Sequence, residues 1–143
     1  NPPPGAGPAP PADRALGRAE PFSQARLAQL LEAGTPVFVN MTAAWCITCK
    51  VNERLALSSE RIAQVFAERG VVYLQGDWTN RDPAITRYLE SFGRSGVPLY
   101  VFYPGSGHEA VVLPQLLTEA IVIDAIASPA TLSLTPSPTD RRS

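Results

Sequence analysis

Two cysteines three residues apart, Cys46 and Cys49, stand at the junction of two apolar patterns, and they are the only cysteines in the 143 residues. Before them runs Pro36-Val37-Phe38-Val39-Asn40-Met41-Thr42, a mostly apolar run of strand length. After them runs Lys50-Val51-Asn52-Glu53-Arg54-Leu55-Ala56-Leu57, which reads as a helix. The i, i+3 spacing puts both sulfurs on one side of the first helical turn, within disulfide reach. The first sulfur then sits where unpaired backbone N–H groups and the helix dipole stabilise negative charge. That favours thiolate over thiol, and thiolate is the species that attacks disulfides.

Blander readings explain less. A purely structural disulfide closing so short a loop constrains an unfolded chain very little. A zinc site needs about four ligands, and besides the two cysteines there is one distant histidine, His108. Two inert core cysteines would need neither this spacing nor the aromatic Trp45 beside them.

The length is that of one domain. Apolar residues make up 45%, enough for a core, and the net charge of -1 gives no sign of a nucleic-acid or anionic-membrane partner. Two cysteines do not make a disulfide scaffold and do not by themselves fix the compartment. No apolar run approaches the ~20 residues that span a bilayer. The chain opens on Asn1-Pro2-Pro3-Pro4 without a signal-like segment, which reads as a soluble piece of a longer protein.

Six prolines fall in the first eleven positions, so residues 1–20 read as an extended linker. The Ser/Thr/Pro-rich stretch 129–143 reads as a disordered tail. Residues 21–128 remain as the domain. Ser23 is a candidate cap for a helix carrying Leu27, Leu30 and Leu31, ended by Gly34. The strand Val37–Met41 follows, then the Cys-x-x-Cys helix. Ser58 or Ser59 caps a further segment with Ile62, Val65 and Phe66 inward and Gly70 as its stop. Val71–Gln75 reads as a strand, with a right-handed crossover making it parallel to the first. Asn80 or Asp82 caps a helix opened by Pro83. Its apolar face is Ile85, Tyr88, Leu89 and Phe92. Leu99–Tyr103 is a strand, and Ala110–Leu113 its hairpin partner across a turn that contains His108. Thr118 caps a last helix through Ala127. The order α-β-α-β-α-β-β-α predicts an α/β domain, a mixed sheet of about four to five strands with helices on both faces. Cys46 and Cys49 lie at the carboxyl end of the first core strand, where open α/β sheets place their sites.

This order, with Trp45-Cys46-Ile47-Thr48-Cys49-Lys50 after one strand and Gly96-Val97-Pro98 before another, resembles the thioredoxin superfamily. Within it, Ala44 to Glu53, Asp77-Trp78-Thr79 and Gly96-Val97-Pro98-Leu99-Tyr100 are similar to the C-terminal thioredoxin-like domain of the DsbD/ScsB thiol:disulfide interchange proteins. Ile47-Thr48 departs from the Gly-Pro that general thioredoxins carry between the cysteines. The resemblance implies a periplasmic location, a tether to a membrane domain that supplies electrons, and thioredoxin-like, isomerase or peroxiredoxin-like protein acceptors. It implies no cofactor beyond the Cys46–Cys49 disulfide, no metal, and a monomeric domain.

On that resemblance Cys46 is the nucleophile and the more exposed sulfur, and Cys49 resolves the mixed disulfide. A cis Val97–Pro98 bond is implied, presenting Val97 as a short edge for an extended partner segment. Trp45 stands at the rim of the same site, and Trp45, Val97 and Pro98 are the expected substrate-binding residues. Asn40 stands where thioredoxins usually carry a buried aspartate, and an amide cannot take a proton. Glu53, four residues beyond Cys49, is the candidate to replace it; the competing reading is a solvated helix carboxylate. Trp78 is expected to pack in the core or at the rim. Two further functions compete with a reductase. One is an oxidase or isomerase of the same fold, and the other is a module holding Cu(I) on the two thiolates.

Overall fold

The computed structural model describes residues 19–105 and 109–127. The centre of the fold is β2 (Val37–Thr42), every residue of which is buried. A strand with partners on both edges and helices on both faces has no solvent side, which is why this run is apolar in both registers. β3 (Val72–Asp77) pairs with it in parallel from Val37↔Val72 to Thr42↔Asp77. β4 (Leu99–Tyr103) pairs antiparallel from Val37↔Tyr103 to Met41↔Leu99. Two short strands, β1 (Glu20–Pro21) and β5 (Val111–Val112), complete the sheet order β1-β3-β2-β4-β5.

Alternation along β2 builds two cores. Val37, Val39 and Met41 face Leu27 and Leu30 of α1 (Gln24–Glu32) and Ile85, Tyr88 and Leu89 of α4 (Pro83–Ser91). Phe38 faces Ile62 and Phe66 of α3 (Glu60–Arg69) and Val122, Ala125 and Ile126 of α5 (Glu119–Ala127). Fully burying an aliphatic or aromatic side chain of this size contributes about 1.5–3 kcal/mol each. The two layers therefore lock β2, and with it the loop that β2 delivers to the site. The remaining helix, α2 (Ile47–Asn52), runs without a break into a single π-helical turn, Glu53–Leu57. No helix of the described residues is long and apolar enough to cross a membrane.

The helix ends follow local chemistry. The hydroxyls of Ser23, Ser59 and Thr118 accept N–H groups of Arg26, Ile62 and Ile121, and Asp82 accepts from Ala84. Pro83 opens α4 where its missing N–H costs nothing, and Gly70 ends α3 in the left-handed conformation at φ 65°.

Three features depart from the sequence reading. β1 adds a strand where only linker and helix lead-in were expected, with Glu20 opposite Leu74 and Pro21 opposite Gln75. A proline fits there because β1 is an edge strand. The helix after the cysteines changes pitch at Glu53. The hairpin partner of β4 is two residues rather than four. Leu31 keeps the helical spacing but lies exposed near the end of α1. His108, the linker up to residue 18 and the tail 129–143 lie outside the described residues.

Candidate active site

β2 ends at Thr42 and the chain turns through Ala43-Ala44-Trp45 into α2. Cys46 is the residue just before the helix, with extended backbone angles (φ -92°, ψ 106°). Its N–H donates to the Ala43 carbonyl at 3.1 Å and its carbonyl accepts from Lys50 at 3.2 Å. Its sulfur caps the helix, accepting the Cys49 N–H at 3.2 Å. Cys46 and Cys49 are joined as a disulfide with Cα atoms 5.3 Å apart, inside the usual range. Cys46 is 7% exposed and Cys49 0%, so Cys46 is the less enclosed residue of the pair.

The Val97–Pro98 peptide bond is cis. Val97 packs against Ala43, Cys46 and Cys49, which brings the segment before β4 onto the disulfide. The Arg94 guanidinium donates to the Pro98 carbonyl at 3.3 Å.

The loop after β3 holds the other side of the cysteine loop. Trp78 N–H donates to the Thr42 carbonyl at 2.7 Å. The Thr79 hydroxyl oxygen accepts Ala44 N–H at 2.8 Å, and the Thr79 carbonyl accepts the Trp45 indole N–H at 3.0 Å. Asp77 accepts both the N–H and the hydroxyl of Thr79. Those two bonds hold the Asp77 carboxyl below its ordinary range, the hydroxyl bond contributing most. Trp45 is 48% exposed. Its ring lies 5.9 Å from that of Trp78, and the Arg81 guanidinium stands 5.1 and 4.9 Å from the two ring centroids, within cation–π range. Trp78 itself is buried, its indole N–H donating to Thr86 at 2.8 Å.

Enclosed polar side chains stand on β2 and around the end of α2. Glu53 is half-buried and accepts the Thr42 hydroxyl at 3.1 Å, so it is neither a freely solvated carboxylate nor a fully enclosed one. Asn40 is fully buried and donates to the Tyr73 hydroxyl at 2.7 Å. Its Oδ1 has no partner among the described residues. Asn52, one residue before Glu53, is buried and donates to the Tyr100 hydroxyl at 2.9 Å and the Gln115 carbonyl at 2.7 Å. It also accepts Leu117 N–H at 3.0 Å. Burial pushes the Tyr100 hydroxyl up to about 12; the Asn52 bond works against the rise, and the nearby Glu53 charge adds to it.

The structure thus gathers Cys46, Cys49 and Val97 in one cluster, with Pro98 joined to Val97 by the cis bond, Trp45 exposed next to Cys46 in the chain, and Glu53 tied to Thr42 at the end of β2. Sequence reasoning passed over Asn52 and Thr79 as fastening points. A helical asparagine reads as a surface polar residue. Asp77-x-Thr79 does carry a signal, since aspartate followed two residues later by a hydroxyl residue is an Asx-turn pattern.

Comparison with known proteins places this geometry. The model of the thioredoxin-like family matches residues 18–105, more than half of the chain. The chain is 34% identical over 79 residues to a Ralstonia nicotianae thiol:disulfide interchange protein DsbD, covering 55% of this chain and 13% of that protein. It is 36% identical over 86 residues to DsbD 1 of Pseudomonas aeruginosa, covering 59% of this chain and 14% of that one. The matched stretch therefore spans only about one-seventh of the length of these relatives. Among solved structures, the oxidised DsbD C-terminal domain of Neisseria meningitidis superposes with a TM-score of 0.59 at 23% identity, covering 74% of this chain and 95% of that one. A thioredoxin from Thermus thermophilus superposes at 0.61 with 18% identity, over 78% of this chain and 87% of that one. Since the family match runs through β2, both cysteines, the cis proline and β4, the chain belongs to the thioredoxin-like family.

Proposed function

We propose that this domain is a protein-disulfide reductase. It relays electrons from a membrane-embedded donor domain of the same polypeptide to protein disulfides in the bacterial periplasm. The observation that carries this is the Cys46–Cys49 disulfide beside a cis Val97–Pro98, in a chain similar to thiol:disulfide interchange proteins. Its acceptors would be thioredoxin-like, isomerase or peroxiredoxin-like proteins.

In the receiving half-reaction a donor thiolate attacks the Cys46 sulfur. The Cys46–Cys49 bond breaks and Cys49 leaves as a thiolate that takes a proton. A second donor thiolate then attacks the donor sulfur of the mixed disulfide and frees Cys46. In the delivering half-reaction the Cys46 thiolate attacks an acceptor disulfide, and one acceptor sulfur leaves as thiolate. Cys49 then gives up its proton and attacks Cys46, reforming the internal disulfide and releasing the second acceptor sulfur. The domain takes up two electrons and two protons in the receiving half-reaction and gives up the same in the delivering one.

Cys49 is sealed from water, so its proton needs a nearby acceptor. Glu53 is assigned that task. Asn40 cannot take a proton, and Glu53 is held by Thr42 one turn beyond Cys49. Trp45, Val97 and Pro98 are assigned to substrate binding: the exposed Trp45 ring as a wall, and the backbone at Val97 as an edge for an extended partner segment.

The test is the reduction potential of the Cys46–Cys49 pair, read by equilibration against dithiothreitol and glutathione. A value near ~-270 mV supports a reductase, and one near ~-120 mV reverses the direction of flow to that of an oxidase.

A further inference from the structure

The outward side of α2 and the π turn carries two rows. Ile47, Val51 and Leu55 follow one another at i, i+4 and i+8, and are 79%, 38% and 65% exposed. Lys50 and Arg54 form a second exposed row beside them, also at i, i+4. The inward side of the same segment buries Cys49, Asn52 and Ala56. A helix lying on a sheet normally turns its polar side out. Here three branched aliphatic side chains are turned out, and none of them belongs to either core.

The apolar row starts at the residue next to Cys46. Any disulfide brought up to the Cys46 sulfur therefore brings its own protein surface over Ile47. At ~1.5 Å rise per residue, the row continues about 12 Å further, to Leu55. The cationic row sets the sign of what lies alongside. Lys50 is within electrostatic reach of Asp77, whereas among the described residues the ion pair formed is Arg26–Glu20 and Arg54 makes none.

We propose that this face is the docking surface for a redox partner protein whose exchanging disulfide lies beside an apolar patch edged by aspartate or glutamate. The inference rests on the thiol–disulfide exchange proposed above and adds which face the partner covers and of what chemistry that partner is. Ile47, Val51 and Leu55 would supply the desolvated centre of the contact. Lys50 and Arg54 would supply orientation and reject basic partners. A lipid surface fits less well, because seating it on Ile47 would cover the reactive sulfur.

The experiment compares two synthetic peptides, each with one internal disulfide flanked by leucines, one carrying glutamates and the other lysines. The reduced protein should reduce the glutamate peptide about tenfold faster than the lysine peptide at low salt, and added salt should narrow the gap. In the Arg54→Glu/Leu55→Ser double variant the preference should fall to within about twofold. Glutathione disulfide, which cannot span the face, should react equally with both proteins at high salt, where its own negative charge is screened. Equal peptide rates in the wild type, or a preference surviving in the double variant, would overturn the docking surface. So would peptide-blind reduction together with binding of the wild type, but not the variant, to phosphatidylserine vesicles, which assigns the face to a membrane. A protein inert toward both peptides and glutathione disulfide would instead sink the exchange chemistry on which the inference rests.

Discussion

The Thr79 hydroxyl oxygen accepts the backbone N–H of Ala44 at 2.8 Å, across 35 residues of sequence. The loop after β3 is in this way fastened to the loop that holds Cys46. Thr79→Val keeps the side chain's shape and removes this bond together with the one to Asp77. A single hydrogen bond contributes about 1 kcal/mol net. With two bonds removed, the variant should lose about 2 kcal/mol in a urea titration, and its exchange with glutathione disulfide should change as the Cys46 loop loosens. Thr79→Ser, which restores the hydroxyl, should match the wild type in both.

Asn52 fastens α2 from the inside. Its side chain holds three partners: the Tyr100 hydroxyl, the Gln115 carbonyl and the Leu117 N–H. Asn52→Ala strands the Tyr100 hydroxyl and the Leu117 N–H, whose bonds to it are the buried ones. Each unsatisfied buried group costs about 1–3 kcal/mol, so the expected loss is about 3 kcal/mol. It should be read as a lower urea midpoint at an unchanged slope.

Alkaline pH should unfold the protein through its buried phenols. Burial raises the Tyr100 hydroxyl to about 12, and raises Tyr88 and Tyr103 in the same direction. An unfolded tyrosine titrates at about 10. The folded state therefore keeps protons that the unfolded state gives up. The resulting stability is fully present below the unfolded value and is lost as pH rises through the folded one. Denaturation midpoints should fall from about pH 10 upward. Tyr100→Phe should make that fall shallower, as followed by tyrosinate absorbance.

Glu53→Gln keeps an acceptor for Thr42 and removes the proton site. If Glu53 handles the Cys49 proton, the pH profile of the exchange rate should shift and the apparent Cys46 pKa should move with it. An unchanged Cys46 pKa would sink the idea and leave Glu53 as a packing carboxylate. Melting temperature should stay close to wild type, which separates a proton role from a structural one.

How legible each part was depended on whether its cause is local. Ser23, Ser59, Asp82 and Pro83 act within one helical turn, and each does what its sequence position implied. β2 was readable because a strand buried on both faces is mostly apolar in both registers, as Val37, Phe38, Val39 and Met41 are. β1 was not, because a two-residue edge strand containing Pro21 has no periodicity, and only β3 holds it in place. The π turn left no mark either, since Glu53–Leu57 reads as ordinary helix until packing sets its pitch. The cysteines, Val97 and Pro98 were visible as motifs. The fastening bonds of Asn52 and Thr79 were not, because their partners lie 48 and 35 residues away. The outward Ile47-Val51-Leu55 row was masked by the ordinary assumption that apolar helical spacing faces inward.

A helix usually begins on serine, threonine, aspartate or asparagine, and α2 begins on the sulfur of Cys46, which accepts the Cys49 N–H. Fraying of that first turn and acidity of the thiol are then one free energy seen from two sides. Whatever frays the turn takes a donor away from the sulfur and makes the thiol a weaker acid. Deprotonating the sulfur strengthens the bond and holds the turn shut. Cys46, proposed as the nucleophile, is also the first stitch of the helix that follows it, so in the reduced protein its reactivity should track the hydrogen exchange of the single Cys49 amide.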